Sequence, residues 1–330
     1  MTSLALRLGH GLVVLLLIAV VAFTLTRFVG DPVVNMLGDQ ATQGDRAALR
    51  HELGLDQSLG LQLARFLGRL GTGDLGVSYR HGRPVAALFA ERLPATIDLA
   101  VCALALTLLT GVPLGIWLAT AGPGPVREIV GTLALIGAAV PTFVTGTCLI
   151  LTFSVALPWL PSFGRGPTIE VLGWSTSLPA PSGWPSLLLP AVTLALYEGA
   201  VLCRLVRAAM SEELARPYVL FARARGLPAW RVLLRHALPG AMPTILPLLG
   251  LQVGQLLVYT AVTETLFQWP GMGSLFVQAA LFGDLPLLGG YLIYVGLTFV
   301  TINALIDLIL ASRDPRRVGL GPRGSMVGHR

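Results

Sequence analysis

The stretch LAVCALALTLLTGVPLGIWLATA, residues 99–121, contains no charged side chain over its 23 residues. An α-helix rises about 1.5 Å per residue, so about 20 apolar residues cross the ~30 Å hydrocarbon core of a bilayer. The stretch is therefore long enough and apolar enough to cross a membrane as a single helix. It places the chain among membrane proteins before any motif is considered.

Five further stretches share this character. They cover residues 11–29, 129–157, 187–206, 241–263 and 287–310. Pro141 lies in the third span and Pro243 and Pro247 lie in the fifth, which suggests helices that pack against one another. A signal peptide is the rival interpretation of the first stretch, but its apolar run is long for one and no small-x-small cleavage site follows. We expect a retained helix and six spans.

The composition of the whole chain supports this interpretation. Of its 330 residues, 54% are hydrophobic and only 12% are charged, with a mean hydropathy of +0.74. Soluble domains carry about 25% charged residues, and disordered chains need low hydrophobicity and high charge. Both classes are excluded, and we predict an all-α integral membrane protein.

The basic residues exclude several chemistries. All 23 are arginine, and the sequence contains no lysine. A phosphate-binding P-loop, a protein-kinase ATP site and Schiff-base catalysis each need a lysine. If ATP powers this protein, another subunit must bind it. The three cysteines form no CxxC and no two of the five histidines have metal-ligand spacing, so no redox or metal site is predicted.

Arginine is distributed unevenly between the two membrane faces. With the N-terminus inside, the inner segments hold 14 arginines against four acidic residues, a net charge of +10. The outer segments hold nine of each and are neutral. Because cytoplasmic loops are enriched in arginine, we expect both termini in the cytoplasm; the family resemblance described below implies a bacterial plasma (inner) membrane.

The first outer segment is too long to be a simple connection. Short helices are predicted over residues 46–53, capped by Asp45 and ended by Gly54, and over residues 59–70. The second outer loop, 158–185, is rich in proline and is predicted to be irregular. The predicted domains are a cytoplasmic N-terminus with the first span (1–29), a helical extracytoplasmic subdomain (30–94), a five-helix core (95–311) and an Arg-rich cytoplasmic tail (312–330).

The inner loop 210–239 joins the fourth and fifth spans. Pro217 suits the first turn and Gly226 the C-terminal cap of a helix over 217–225, and a second short helix runs from Pro228 until Pro239 ends it. Helical spacing places four side chains on one face of the first helix: Tyr218, Phe221, Ala222 and Arg225. Such an aromatic and cationic face could dock on a partner protein or lie against anionic lipid. The residue pattern alone leaves both open.

This loop resembles the cytoplasmic coupling loop of ABC importer permeases, most closely the B-type permease subunits of dipeptide, oligopeptide and nickel importers. The likeness is carried by Tyr218-Val219, Ala222-Arg223-Ala224-Arg225-Gly226-Leu227 and His236-Ala237-Leu238. Other family marks follow in order along nearly the whole chain: Gly30-Asp31-Pro32-Val33, Gly54-Leu55-Asp56, Gly73-Asp74-Leu75-Gly76, Leu93-Pro94-Ala95-Thr96, Pro270-Gly271-Met272-Gly273 and Asp314-Pro315-Arg316. Leu220 and Phe221 depart from the family pattern, and the Glu-Ala-Ala that names the loop in other importers is absent.

The resemblance implies a transporter made of several subunits with different roles. This chain would form the translocation path with a second related permease, and two cytoplasmic ATPases would bind ATP and Mg²⁺. An extracytoplasmic binding protein would deliver the substrate, and this chain would be neither an enzyme nor a cofactor carrier; it would contact membrane lipid and no nucleic acid. The residues implied at the ATPase contact are Tyr218, Phe221, Ala222, Arg223, Arg225 and Gly226. Di- or oligopeptides are the expected substrates, with nickel or another small solute as the alternative.

Ionisable residues in membrane spans are candidates for function. We interpret Glu198 and Glu264 as candidates for the pathway or gate, with Pro270, Gly271 and Gly273 shaping an outer turn. Glu264 could equally be a helix-end carboxylate satisfied by nearby backbone. An ion-coupled transporter or channel subunit, which would also use membrane carboxylates, is the alternative function.

Two glycines of the fifth span, Gly250 and Gly254, stand four residues apart. Small residues at this spacing let helices approach closely in a membrane. The partner helix could belong to the second permease or to the same chain, and we expect the second permease there.

Overall fold

The computed structural model of the chain describes residues 2–28, 33, 37, 42–52, 54–171 and 173–313. Most of these residues are α-helical. The helices are α1 (Thr2–Phe28), α2 (Gln43–Glu52), α3 (Leu59–Gly71), α4 (Val85–Thr120), α5 (Pro125–Ala139), α6 (Thr142–Ile150), α7 (Trp184–Leu214), α8 (Pro217–Ala224), α9 (Ala229–Val232), α10 (Leu238–Leu266), α11 (Met272–Phe282) and α12 (Leu285–Arg313). The family marks at residues 30–32 and the tail from residue 314 onward lie outside the described residues.

Five helical runs are long and apolar enough to cross a membrane: α1, α4, α7, the run from α9 through α10, and α12. A sixth crossing is obtained only if α5 and the helical segment after it count as one span, and these two are bent by 105°. The predicted all-α membrane architecture is confirmed. The number six depends on how the bent pair crosses, and it stays a prediction.

The bend in the third predicted span lies at Pro141. Helix α5 ends at Ala139, and Val140 has an extended backbone with φ −78° and ψ 126°. Helix α6 then begins at Thr142 and continues as a π-helical segment, Leu151–Ala156. A proline ring clashes with helical backbone at the residue before it. The predicted span over residues 129–157 is therefore not one continuous helix, because it is broken at Pro141.

Helix α4 begins at Val85, well before the span predicted at residues 99–121, and it runs through Pro94 and Pro113. The predicted domain boundary between residues 94 and 95 thus falls inside a helix. The outer part of α4 packs in a buried cluster with α11 and α12 through Val85, Met272 and Leu287. The extension joins the outer subdomain rigidly to the membrane core.

Helices α4 and α7 cross at two glycines. A Cβ added to Gly111 would lie 2.9 Å from the carbonyl oxygen of Gly199, and one added to Gly115 would lie 2.6 Å from that of Cys203. Real Cβ atoms do not approach carbonyl oxygens so closely. Within a bilayer, helices associate through such close packing because lipid offers no hydrophobic drive between them.

We expect Gly115→Ala to lower the thermal unfolding midpoint of the purified protein. The new methyl group must push two helix backbones apart, and overpacking of this kind costs about 1–3 kcal/mol. Gly122→Ala is the matched control, because no atom lies within 4 Å of a Cβ at that position. Identical midpoints for the two variants would contradict the tight crossing.

The two glycines of the fifth span pack inside the chain. A Cβ on Gly254 would lie 2.8 Å from the Phe299 ring, and one on Gly250 would collide with the Ile306 side chain. Helix α12 therefore covers this face of α10. The expectation that these glycines contact a second permease is wrong.

The outer subdomain has two helices close to those predicted. Asp45 was expected to cap the first, but α2 begins one turn earlier, after Thr42. The Thr42 hydroxyl accepts the Asp45 N–H at 3.2 Å, and the Asp45 carboxylate accepts the Thr42 N–H at 3.3 Å, which is the reciprocal bonding of a capping box. Gly54 has φ +66°, the left-handed conformation expected at a helix end.

The second outer loop is more regular than its composition predicts. It holds an antiparallel hairpin of β1 (Ile169–Val171) and β2 (Trp174–Thr176), followed by a 3₁₀ turn, Pro181–Gly183. The prediction of an irregular loop is wrong in this part. A buried ion pair, described below, joins Arg165 of this loop to Asp98 of α4. This pair holds the hairpin in place.

Candidate functional site: the inner loop and the outer helix cap

Helix α8 is the first helix of the inner loop, and its ends lie where proline and glycine predicted them. Pro217 occupies the first turn, where no N–H is needed. The Arg225 N–H bonds the Phe221 carbonyl at 3.0 Å, and Gly226 follows with φ +76°. Only glycine adopts this left-handed conformation without a steric cost, so Gly226 is a structural cap.

The second helix of the loop does not end at Pro239. The described chain is one helical run from Ala229 to Leu266, with a π-helical turn at Leu233–Ala237. Pro239 follows directly on this π-helical turn, at the start of α10. The inner loop is thus continuous with the fifth span.

The inward face of α8 is an apolar anchor. Val219 and Ala222 are buried in a cluster with Met210 of α7, Val232 of α9 and Ala237 of the π-turn. Burying apolar area contributes about 25 cal/mol per Å², so this cluster holds α8 against the ends of two spanning helices.

A polar cluster on the same side completes the anchor. The Tyr218 hydroxyl donates to the buried Glu213 carboxylate and, at 3.2 Å, to the His236 carbonyl. Arg216 Nε lies 3.1 Å from the second Glu213 oxygen. Burial and the hydrogen bond to Glu213 raise the pKa of Tyr218 to about 12. A side chain at Gly240 would collide with both Glu213 and Tyr218.

The outward face, defined as Leu220, Phe221, Arg225 and Trp230, presents large side chains to the surface. The exposed fractions are 49% for Leu220, 64% for Phe221 and 56% for Trp230. The Arg225 guanidinium lies 5.7 Å from the Phe221 ring centroid, within cation–π range. An apolar and cationic patch on a rigid support is typical of a protein docking site.

The residues predicted at the ATPase contact separate between the two faces. Phe221, Arg223 and Arg225 are exposed, and so is Tyr218, although its hydroxyl bonds Glu213, whereas Ala222 is buried. The 3.6-residue period could not say which way the helix is rotated, so it did not separate buried Ala222 from exposed Phe221. Leu220 and Trp230 were missed, although large apolar residues inside an arginine-rich loop were the signal.

Glu264 lies near the C-terminal end of α10, at the end predicted to be outer, and is completely buried. One carboxylate oxygen accepts the Thr96 hydroxyl at 2.7 Å, and the other accepts the Ser274 N–H at 2.8 Å. Thr96 in turn accepts the Met272 N–H at 2.7 Å. Glu264 therefore caps the first turn of α11 through its side-chain oxygen. Of its two predicted roles, the geometry matches the helix-end carboxylate.

The turn between α10 and α11 is built tightly around this carboxylate. A Cβ on Gly271 would collide with the Glu264 carboxylate, and a Cβ on Gly273 would collide with the Ala261 backbone. Pro270 precedes them, and the Trp269 indole is buried and donates to the Ala95 carbonyl at 2.9 Å. The turn predicted around residues 270–273 is thus held to both α4 and α10.

Glu198 lies in the middle part of α7, buried between α4 and α10. Its Oε1 and the side-chain oxygens of Gln252 and Thr107 are buried without hydrogen-bond partners among the described residues. Gln252 donates to the Glu198 backbone carbonyl at 3.3 Å. A very small cavity lies beside the group, and its other lining residues are apolar.

Two further buried carboxylates, Asp98 and Asp284, link distant segments; the sequence placed Asp98 at the edge of a span but predicted a partner for neither. Asp98 on α4 lies 2.7 Å from Arg165 Nη2 and also accepts the Thr176 hydroxyl and the Ser177 N–H, each at 2.7 Å. Asp284, between α11 and α12, accepts the Ser78 hydroxyl at 2.5 Å. Each partner is distant in sequence, so no local pattern could reveal the pair.

Bundled apolar helices, a rigid inner loop with an exposed face and a capped outer turn define a multi-pass membrane protein. Residues 111–319 match the family described as binding-protein-dependent transport system inner membrane component, and residues 1–100 match its N-terminal companion. The chain belongs to this family, which confirms the predicted resemblance to ABC importer permeases. Members of the family are permease subunits and are not themselves catalytic.

Curated relatives align over nearly the whole chain. A putative peptide transport system permease protein of Brucella abortus (strain 2308) is 37% identical over 319 residues, covering 96% of this chain and 99% of the relative. The probable D,D-dipeptide transport system permease protein DdpB of Escherichia coli (strain K12) is 37% identical over 92% of this chain and 93% of its own length. The dipeptide transport system permease protein DppB of the same strain is 33% identical over 94% and 96%.

Among solved structures, the chain is similar to one titled as inward facing conformations of the MetNI methionine ABC transporter. The match has a TM-score of 0.55 at 17% identity and covers 69% of this chain and 96% of that one. Identity at this level supports the fold alone. It agrees with the helical permease architecture described above.

Proposed function

We propose that this chain is the permease subunit of an ATP-driven importer of di- or oligopeptides, and that it forms the translocation path with a second related permease. The near full-length likeness to peptide and dipeptide permeases supports the substrate class. The observation that carries the mechanism is the outward face of the inner loop. Exposed Leu220, Phe221 and Trp230 on a rigid arginine-rich support need a protein partner.

The exposed outward face suggests a protein partner, and the lack of lysine in this chain suggests that the partner binds the ATP. The outward face would seat in one of two cytoplasmic ATPases, which bind the ATP and Mg²⁺; this chain would hold no cofactor and hydrolyse no ATP. An extracytoplasmic binding protein would deliver the peptide to the opposite membrane face. Because α8 is anchored to the ends of α7 and α10, closure of the ATPases would move two spans together.

The outer turn is the proposed gate. Glu264, Pro270, Gly271 and Gly273 connect α10 to α11 so tightly that the two would move as one body, with Thr96 as the contact to α4. Glu198 is proposed to serve the pathway, since its carboxylate has an unsatisfied oxygen inside the helix bundle. A conformation that separates α4 from α10 would expose it.

Uptake by the reconstituted transporter tests the proposal. Proteoliposomes holding the chain with its co-expressed subunits should take up labelled dipeptide when ATP is inside, and a protonophore should not slow the uptake. Uptake driven by a proton gradient without any ATPase would favour the alternative, an ion-coupled transporter. Uptake of a nickel chelate in place of dipeptide would retain the mechanism and reject the proposed substrate.

The proposed orientation, with both termini cytoplasmic, predicts opposite labelling of two serines. In a background without Cys102, Cys148 and Cys203, Ser58→Cys should react with an impermeant maleimide from outside intact cells. Ser211→Cys should react only after the membrane is opened. Both serines are exposed, so accessibility alone cannot produce the difference, and the reversed pattern would refute this orientation.

A further inference from the structure

A cavity of about 540 Å³ opens between the end of α4, the first half of α5 and the inner part of α7. Three arginines line it, Arg127 on α5 and Arg204 and Arg207 on α7, with Glu128 as the one acidic lining residue. Arg207 reaches across to α5, because its Nη1 lies 3.6 Å from the position of a Cβ on Gly131. The cavity thus concentrates three positive charges from two helices.

These arginines are uncompensated in the part of the chain that the structure describes. None of the three forms an ion pair there. Arg127 Nε is also buried without a hydrogen-bond partner among those residues. The planar fork of a guanidinium matches phosphate oxygens. Three such groups around one cavity therefore favour an anionic ligand.

The position of the cavity indicates a lipid. Arg204 and Arg207 stand at the end of the apolar run 187–206 of α7, at the membrane face that carries α8. The adjoining surface of α5 is apolar and exposed, with more than half of the Ile129, Leu133 and Ile136 side chains accessible. A free anion would use only the charged wall, whereas a lipid would use both the charged and the apolar surface.

We propose that this cavity binds the headgroup of an anionic glycerophospholipid. Its phosphodiester would lie among Arg127, Arg204 and Arg207, and its acyl chains would follow the apolar surface of α5. Basic pockets between spanning helices at the cytoplasmic side bind such headgroups in other membrane proteins. The lipid would brace α5 against α7 beside the bend at Pro141. The site requires neither peptide transport nor ATPase docking.

Native mass spectrometry of the full chain with its co-purified subunits tests the proposal. Phosphatidylglycerol should be retained more strongly than phosphatidylcholine with the same acyl chains. The double variant Arg204→Gln/Arg207→Gln should weaken retention about thirtyfold, since each arginine beside an anionic membrane surface is worth about fivefold in affinity. Arg235→Gln, an exposed arginine outside the cavity, is the control and should change it much less.

A second variant distinguishes binding of the lipid inside the cavity from nonspecific attraction of the lipid to positive charge. Gly131→Leu fills the cavity, removes no charge and improves helix propensity, and it should abolish the preference for phosphatidylglycerol. Retention equal to wild type in Gly131→Leu would overturn the site. Competition by millimolar inorganic phosphate would instead identify a site for a free anion. Photo-crosslinking from position 132 to a protein would identify a subunit contact. Either result would overturn the proposal that the cavity binds a lipid.

Discussion

A Phe221→Asp variant will reach the membrane in normal amounts but will lose most of its transport activity. Phe221 is 64% exposed at the centre of the outward face, so the folded chain alone tolerates a charge there. In the proposed complex the aspartate would be buried at a protein contact without a partner, which costs several kcal/mol. Losing an interface anchor worth about 2 kcal/mol weakens binding about thirtyfold. ATP-dependent uptake and co-purification of the ATPase should fall together.

Two controls keep this prediction specific. Phe221→Leu preserves an apolar side chain and should retain most of the uptake. Ala222→Asp, one residue along, places the same charge in the buried anchor and should reduce the amount of folded protein instead. If Phe221→Asp leaves both uptake and ATPase association unchanged, the outward face is not the docking site.

An Asp98→Ala variant will be among the least stable single variants of this chain. The side chains of Asp98 and Arg165 are only 1% and 11% exposed, and the carboxylate accepts three bonds from the second outer loop. Removing one member of a buried pair leaves an uncompensated charge and costs about 3–5 kcal/mol. Thermal unfolding in detergent should show a large fall in midpoint, with release of the β1–β2 hairpin to protease.

The pair of Arg83 and Glu91 is the matched control, because its side chains are 50% and 53% exposed. Surface ion pairs contribute about 0–1 kcal/mol, so Glu91→Ala should shift the midpoint little. The double variant Asp98→Ala/Arg165→Met should recover part of the stability lost in Asp98→Ala, since no charge then remains buried. Equal midpoints for Asp98→Ala and Glu91→Ala would show that the buried pair does not hold the loop.

Features that depend on neighbouring residues were predictable. The apolar runs fixed the regions that span the membrane, because bilayer thickness sets a minimum helix length. Pro217 and Gly226 marked the ends of α8, since one lacks an N–H and the other permits a positive φ. The same local logic failed at Pro141 and Pro239. Proline breaks one helix and begins another, and which outcome occurs depends on the register of the turn around it.

Features that depend on distant residues were not predictable from one sequence. The rotation of α8, with Ala222 inward and Phe221 outward, depends on the apolar cluster beneath it. The Thr96 hydroxyl meets the Glu264 carboxylate across 168 positions of sequence, and Arg165 meets Asp98 across 67. The sequence by itself determined that this is a bundle of membrane helices with an amphipathic inner loop. Only the tertiary structure decided which charges are buried in pairs and which face is free to bind, because both depend on helices brought together by packing.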